Sequence, residues 1–128
     1  MNPVELKYSK SHEWAKVEGN TVTLGITAHA QDSLGDVVFV ELPDNDTTVV
    51  AGEAFGTVES VKAVSDMIAP VSGRVIDYNQ EVLDSPELLN DDPYGEGWLI
   101  KVEVDDLTVL DELLSAAEYE AFLAEEGQ

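Results

Sequence analysis

The sequence contains no cysteine, and only 6 of its 128 residues are lysine or arginine. Without cysteine the chain has no disulfide, no thiolate metal site and no cysteine nucleophile, so any redox chemistry must come from an attached group. A basic surface for nucleic-acid phosphates is excluded as well, because 27 acidic residues bring the net charge to −21. We therefore expect no nucleic acid among its partners.

Long apolar runs are also missing. No stretch approaches the roughly 18 apolar residues of a membrane span, and the polar segment of residues 1–10 lacks the apolar centre of a secretory signal. We expect a soluble, cytoplasmic monomer with no membrane partner. The length suits a single domain over residues 1–128, and a hydrophobic content of 44% is enough for a modest core.

The excess of acidic residues has two interpretations. It is an adaptation to a salty cytoplasm, where a Debye length of about 3 Å at 1 M salt removes the self-repulsion, or it steers basic partners toward the surface. Composition favours the halophilic interpretation, and thermal melts in low and molar salt distinguish the two.

Short β-type runs alternate with turn residues, which predicts a mainly β fold. Gly19-Asn20 joins two such runs as a hairpin, and Thr27 is placed to cap a short helix that Gly35 ends. Ser115 and Glu118 have the spacing of a capping box, which predicts a helix at the C-terminal end. The pattern suggests a small sandwich or flattened barrel with helices at its ends.

Two strands are predicted from their apolar residues. Residues 37–42 are almost wholly apolar, as in a strand covered on both faces. Residues 98–104 alternate with period two, as in a half-buried strand. Trp14 and Trp98 each lie in a strand-like run, so we expect both to pack in the core.

Lys62 lies midway between two strand-like runs, residues 54–61 and 64–69, where a hairpin tip would project its amine into solvent. By position alone it is an ordinary solubilising lysine, because exposed lysines are common. The two imidazoles, His12 and His29, lie in no motif that supplies a nucleophile or a set of metal ligands. We therefore predict no catalytic residue and no metal site.

The surroundings of Lys62 carry a resemblance. A lysine at a hairpin tip, followed by Ala69-Pro70 and Gly73, resembles the attachment site of lipoyl and biotinyl carrier domains. The stretch Glu-Ser-Val-Lys-Ala at residues 59–63, with Ser65-Asp66, is similar to the glycine cleavage H-protein family. Further segments resemble that family in the same order: residues 11–14, 25–27, 30–31, 34–43, 92–95 and 97–99.

One departure from the family is visible in a turn. The family usually carries glycine after the Leu42-Pro43 pair, and this chain has Asp-Asn-Asp at residues 44–46. The change affects no residue proposed for function.

The resemblance implies a barrel-sandwich hybrid of the lipoyl and biotinyl type, with short helices and a C-terminal helix. It implies lipoic acid covalently attached to Lys62, in a non-catalytic carrier of glycine cleavage. The arm would take the aminomethyl group of glycine from a pyridoxal-phosphate decarboxylase, the P protein. It would pass this group to a folate-dependent aminomethyltransferase, the T protein, and its dithiol would be reoxidised by dihydrolipoamide dehydrogenase, the L protein. A lipoylating enzyme is the fourth implied partner.

The resemblance also places three polar residues, Glu13, Asp66 and Ser11, in a cleft that holds the loaded arm. Carboxylates and hydroxyls can hold an ammonium group by charge-assisted hydrogen bonds. Two alternative functions remain open: a lipoyl relay or lipoyl domain that serves 2-oxoacid dehydrogenases, and a structural or regulatory binding module in which Lys62 stays unmodified.

Overall fold

Two antiparallel sheets form the body of the protein in a computed structural model, which describes residues 5–126. A six-stranded sheet has the order β1-β2-β3-β9-β8-β5, and a three-stranded sheet has the order β4-β6-β7. The strands are β1 (Lys7–Tyr8), β2 (Glu13–Glu18), β3 (Thr21–Ile26), β4 (Val37–Glu41), β5 (Thr48–Val49), β6 (Ala54–Ser60), β7 (Val64–Ile68), β8 (Gly73–Tyr78) and β9 (Ile100–Glu103). The predicted mainly β fold is confirmed.

Short helices lie at the ends of the strands. They are α1 (Ala28–Leu34), α2 (Gln80–Asp84), α3 (Leu88–Asp91), a 3-10 helix (Leu107–Glu112) and α4 (Ala116–Glu126). Within the described part of the chain, no helix has both the length and the apolar content needed to cross a membrane. The predicted single domain of residues 1–128 extends beyond the described residues at both ends, at 1–4 and 127–128.

The main core joins residues of both sheets. Its members come from alternate positions of the strands, as expected when a sheet buries one face; they include Val22, Leu24, Val58, Met67, Val75, Ile100 and Val102. A smaller cluster lies on the other face of the six-stranded sheet, beneath α4. In it the rings of Tyr8 and Tyr119 stack with centroids 4.9 Å apart, and buried Trp14 donates a hydrogen bond from Nε1 to the Pro93 carbonyl.

Most of the predicted local signals are confirmed. Gly19 has a φ of +65° in the β2–β3 turn, and Gly35 has a φ of +79° where α1 ends. The amide of Ala30 donates to the Thr27 hydroxyl at 3.2 Å, which caps α1. At the start of α4 the capping box is complete, because the Ser115 amide donates to Glu118 at 2.9 Å and the Glu118 amide donates to the Ser115 hydroxyl at 3.2 Å.

The prediction that residues 37–42 are covered on both faces was wrong. Val38 is 52% exposed and Phe39 is 48% exposed. The physical reason is a β-bulge: Val37 pairs with Ser60 and Phe39 with Glu59, so Val38 is an extra residue in β4. A bulge re-aims the side chains around it, and here two consecutive apolar side chains are turned toward solvent.

The strand predicted at residues 98–104 begins later than expected, at Ile100. Leu99 is fully buried and Trp98 only partly buried, which breaks the alternation before the strand begins. The core prediction is therefore confirmed for Trp14, and Trp98 is a partly buried neighbour of the smaller cluster. The short strands β1 and β5 and the helices α2 and α3 were not predicted.

Candidate functional site

Lys62 lies in the tight turn that joins β6 to β7. The backbone closes this turn between the Ser60 amide and the Ala63 carbonyl, at 2.8 Å. The Ser60 hydroxyl accepts hydrogen bonds from the amides of Lys62 and Ala63, both at 3.1 Å. The amide of Val61 donates to the Asp36 carbonyl at 3.0 Å and ties the turn to the segment before β4. The backbone at the tip is therefore fixed, while the Lys62 side chain is exposed as predicted.

The stem of Lys62 passes over the end of α1. A Cβ atom built on Gly35 would lie 3.1 Å from Lys62 Cε, which is tighter than ordinary van der Waals contact. Asn90 holds this end of the helix, because its Nδ2 donates to the Gly35 carbonyl at 2.7 Å and its Oδ1 accepts from the Val37 amide at 2.9 Å. Asn90 has no signal in the sequence, because these two hydrogen-bond partners are more than 50 residues away.

A cleft of about 360 Å³ opens beside this point, between α1, β2 and β7. Leu34, the neighbour of Gly35, lines it, so the cleft begins next to the Lys62 stem. Its walls combine apolar and polar side chains from these elements and their neighbours: Ser11, His12, Glu13, Ile26, His29, Ala30, Ser33, Leu34, Val58, Ser65, Asp66 and Met67. The three polar residues predicted to form a cleft, Ser11, Glu13 and Asp66, thus lie in the same cavity.

Glu13 is buried, with 2% of its surface exposed, and both oxygens of its carboxylate accept hydrogen bonds. Ser9 and Ser11 donate to its Oε1 at 2.7 and 2.6 Å, and the Ile68 amide donates to its Oε2 at 3.1 Å. Burial raises the pKa of Glu13, although the hydrogen bonds oppose that shift. The carboxylate therefore joins β2 to β7 across the cleft, and Ser9 is a member of the network that sequence reasoning missed.

Asp66 carries the second carboxylate of the cleft, and its environment differs from that of Glu13. It is exposed and makes no side-chain hydrogen bond to another described residue. Its backbone pairs with Thr57 of β6, so its position on β7 is fixed by the sheet. Asp66 is therefore an exposed acceptor on a strand held by the sheet, whereas both oxygens of Glu13 already accept hydrogen bonds from the protein.

Two histidines complete the wall, although the sequence predicted no role for either. The rings of His12 and His29 lie with centroids 4.7 Å apart. His12 adopts a φ of +73°, and its Nδ1 lies 2.7 Å from the Tyr119 hydroxyl, which lies 2.8 Å from the Thr27 hydroxyl. This chain of hydrogen bonds connects α4 to the cap of α1 and to the cleft.

Comparison with known proteins gives a consistent result. A profile of the family described as glycine cleavage H-protein matches residues 6–126. The chain is 58% identical over 126 residues to the glycine cleavage system H protein of Carboxydothermus hydrogenoformans, covering 98% of this chain and 97% of that protein. It is 58% identical over 123 residues to the protein of the same name from Staphylococcus haemolyticus, covering 96% and 98% of the two chains.

A solved structure agrees with these sequences. The crystal structure of a glycine cleavage system H protein from Mycobacterium marinum superimposes with a TM-score of 0.86 at 40% sequence identity, covering 99% of this chain and 100% of that one. The barrel-sandwich fold expected from the resemblance is therefore confirmed. The family profile, the sequence relatives and the fold lead to one conclusion: the chain belongs to the glycine cleavage H-protein family.

Proposed function

We propose that Lys62 carries a lipoyl group in amide linkage and that the cleft beside it shelters the loaded end of that arm. Membership of the family makes the chain a carrier component of glycine cleavage. The observation that carries the assignment of residues is the path of the Lys62 stem over Gly35, which leads to the cleft containing Glu13 and Asp66.

The residues of the cleft suit such an arm. One part of the wall is apolar, which matches a hydrocarbon chain, and is formed by Ile26, Ala30, Leu34, Val58 and Met67. The other part carries the carboxylates and hydroxyls that an ammonium group requires. When attached, the lipoyl group supplies the redox-active sulfur that the cysteine-free chain lacks and carries the aminomethyl group of glycine.

The polar residues of the cleft have distinct proposed roles. Asp66 accepts a hydrogen bond from the ammonium group, because its oxygens are exposed and unoccupied by other described residues. The Ser11 hydroxyl now donates to Glu13, and by rotating it can present a lone pair to the same cation. Glu13 supplies negative charge from beneath and holds β2 against β7 through the Ile68 amide. The surrounding apolar side chains limit the access of water.

The chain itself is proposed to be non-catalytic, with the chemistry performed by the P, T and L proteins. A covalent tether suits this division of work, because it keeps the carried group at high effective concentration as the carrier moves between enzymes. The lipoylating enzyme is the partner that acts on Lys62 itself. The monomeric state and the cytoplasmic location expected from the sequence stay predictions.

Glycine-dependent exchange of carbon dioxide with the P protein tests the proposal. The lipoylated chain should support exchange, and the Lys62→Arg variant, which keeps the charge but cannot form the lipoyl amide, should support none. A 2-oxoacid dehydrogenase complex serves as the comparison. Lipoylation of Lys62 without glycine-dependent exchange, together with support of the dehydrogenase, would establish the alternative function in its place.

A further inference from the structure

Four large apolar side chains are exposed around the hairpin tip. Val61 and Val64, on either side of Lys62, are 68% and 66% exposed, and Val38 and Phe39 of β4 are each about half exposed. We call these four residues the tip patch. Exposed apolar side chains scattered singly are normal on a protein surface, but a group of them indicates a binding surface. In a chain with 27 acidic residues, a group of exposed apolar side chains around the lysine indicates a surface that another protein covers.

The strand register brings members of the patch onto one face of the three-stranded sheet. Phe39 pairs with Glu59, and Glu59 pairs with Val64, so these three residues form one row across β4, β6 and β7. Directly paired residues point to the same face of a sheet. The next row, with Val40 and Val58, points inward, and both of those residues are buried. The bulge adds Val38 to the outer face beside Phe39.

We propose that the tip patch is the docking surface for the enzyme that acylates Lys62, and that this enzyme presents apolar side chains interspersed with basic ones. The proposal rests on the proposed function, since it assumes that Lys62 is the attachment site. It assigns a role to β4, whose residues take no part in the cleft.

The distance from Lys62 at which each partner must act distinguishes the acylating enzyme from the other partners. The acylating enzyme holds an activated acyl donor and must bring its carbonyl carbon to bonding distance of Lys62 Nζ. The amide C–N bond forms as the bond from that carbon to the donor's leaving group breaks, and the lysine nitrogen gives up a proton. The surface of the enzyme therefore has to close over the residues that flank the lysine. The P, T and L proteins act at the far end of a long arm, so they can dock at a distance from the tip. Strands lie about 4.8 Å apart, which puts Phe39 about 10 Å across the sheet from Val64. A standard interface of about 800 Å² per partner has a radius of about 16 Å, so one centred on Lys62 covers the whole patch.

Charge within and around the patch specifies the surface of the partner. Glu59 lies between Phe39 and Val64 in their row, and further carboxylates lie on β4, on β7 and on the segment before β4: Glu41, Asp66 and Asp36. Acylation neutralises Lys62, which removes the positive charge at the tip. An enzyme that meets the patch with lysine and arginine side chains gains complementary charge, which increases the association rate and fixes its orientation.

Lipoylation kinetics of the unmodified chain test the proposal. The double variant Val38→Ser, Phe39→Ser removes half of the patch and leaves Val61, Lys62 and Val64 unchanged. A matched control, Val17→Ser, Val50→Ser, replaces two valines that are 40% and 44% exposed elsewhere on the surface. Modification of Lys62 is followed by intact mass with purified lipoylating enzyme, and melting temperatures confirm that all variants are folded.

We expect at least a tenfold lower kcat/KM for the patch variant, mainly through KM, with the control within about twofold of the parent chain. Binding of the enzyme to a chain with Lys62→Arg should weaken by a similar factor when the patch substitutions are added.

Equal lipoylation of patch variant and control would overturn the docking assignment and leave the proposed function intact. Normal lipoylation with impaired carbon dioxide exchange would overturn the choice of partner. Absence of modification in the parent chain would overturn both proposals.

Discussion

At the scale of single residues, the two carboxylates of the cleft lie in different environments. Glu13 is buried and accepts three hydrogen bonds, whereas Asp66 is exposed with its oxygens open. A buried carboxylate is tolerated only when it is hydrogen-bonded, so Ser9, Ser11 and the Ile68 amide are the reason that Glu13 can remain at this position. The two residues therefore contribute differently, Glu13 through structure and charge and Asp66 through direct contact.

The raised pKa of Glu13 makes the stability of the protein depend on pH. Because the fold favours the protonated carboxyl, its contribution to the free energy of unfolding is fully present below the ordinary pKa of 4.5 and is lost as pH rises through the folded pKa. We expect Glu13→Gln to reduce this loss, since the amide has no charge to desolvate. Urea unfolding from pH 4 to pH 7 in molar salt, which screens the general repulsion, measures the effect.

The substitution Glu53→Gln provides the control for that experiment, because Glu53 is exposed and lies outside the cleft. Its pH dependence should match that of the parent chain. If Glu13→Gln also followed the parent chain, the desolvation of a buried carboxylate at this site would be refuted.

Asp66→Asn tests the role of the exposed carboxylate. The amide keeps the size of the side chain but removes the charge that attracts an ammonium group. Ammonia release from the loaded carrier in the absence of the T protein should become several-fold faster, while lipoylation stays intact. Glu13→Ala should accelerate release as well, and should also lower the free energy of unfolding by about 1–3 kcal/mol, because the Ile68 amide loses its acceptor.

Glu59→Gln is the matched control for ammonia release, because Glu59 is also on the three-stranded sheet and lies outside the cleft. Its rate should equal that of the parent chain. Release at the parent rate from both Asp66→Asn and Glu13→Ala would remove these residues from the function of the cleft.

At the scale of secondary-structure elements, α4 supports the cleft through Tyr119. The buried Tyr119 hydroxyl lies within hydrogen-bond distance of His12 on the segment before β2 and of Thr27 at the cap of α1. Tyr119→Phe removes both hydrogen bonds and keeps the stacking on Tyr8. We expect a loss of about 1–2 kcal/mol in the free energy of unfolding, measured by urea denaturation.

Tyr78→Phe is the control for this substitution, because Tyr78 is half-buried and its hydroxyl makes no hydrogen bond to a described residue. It should change stability by no more than about 0.5 kcal/mol. Equal effects of the two substitutions would show that the Tyr119 hydroxyl does not hold α4 against the cleft.

Local signals in the sequence predicted the elements whose ends depend on nearby residues. Thr27 caps α1, and Ser115 with Glu118 caps α4, through hydrogen bonds that span three residues. What the sequence could not show depends on distant pairing. The exposure of Val38 and Phe39 follows from a bulge opposite β6, and a slip of one residue in register reverses the face of a side chain.

The residues of the site also divide into those that the sequence located and those that only the fold brings together. The family motif located Lys62, Ser11, Glu13 and Asp66, and the structure gathers the last three in one cleft. Ser9, Asn90 and the two adjacent histidines had no signal in the sequence, because their roles arise from contacts that the fold creates. Ser9 becomes relevant only when Glu13 is buried, and Asn90 only when α3 lies against the end of α1.

At the scale of the whole molecule, the charge of −21 leads us to expect a stability that depends on salt. The 6 basic residues cannot neutralise 27 acidic ones, and Arg74 is already paired with Asp46 and Glu103. Mutual repulsion among the remaining carboxylates destabilises the compact state at low ionic strength. We expect the melting temperature to rise by several degrees between 20 mM and 1 M salt, measured by circular dichroism.

Identical melting at both salt concentrations would contradict adaptation to a salty cytoplasm and favour partner steering as the reason for the acidity. In that case the rates with the P, T and L proteins, and with the lipoylating enzyme, should fall as salt is added, because screening weakens electrostatic attraction between partners.

The central claim is that Lys62 is the lipoyl attachment site, and intact mass followed by peptide mapping tests it most directly. Protein purified from actively growing cells of its own source should carry a single lipoyl increment, located on the peptide that contains Lys62. Treatment of the unmodified chain with a lipoylating enzyme should add the same increment, and the Lys62→Arg variant should gain none. An unmodified Lys62 in both experiments, or an increment on another lysine, would contradict the carrier mechanism and leave only the fold.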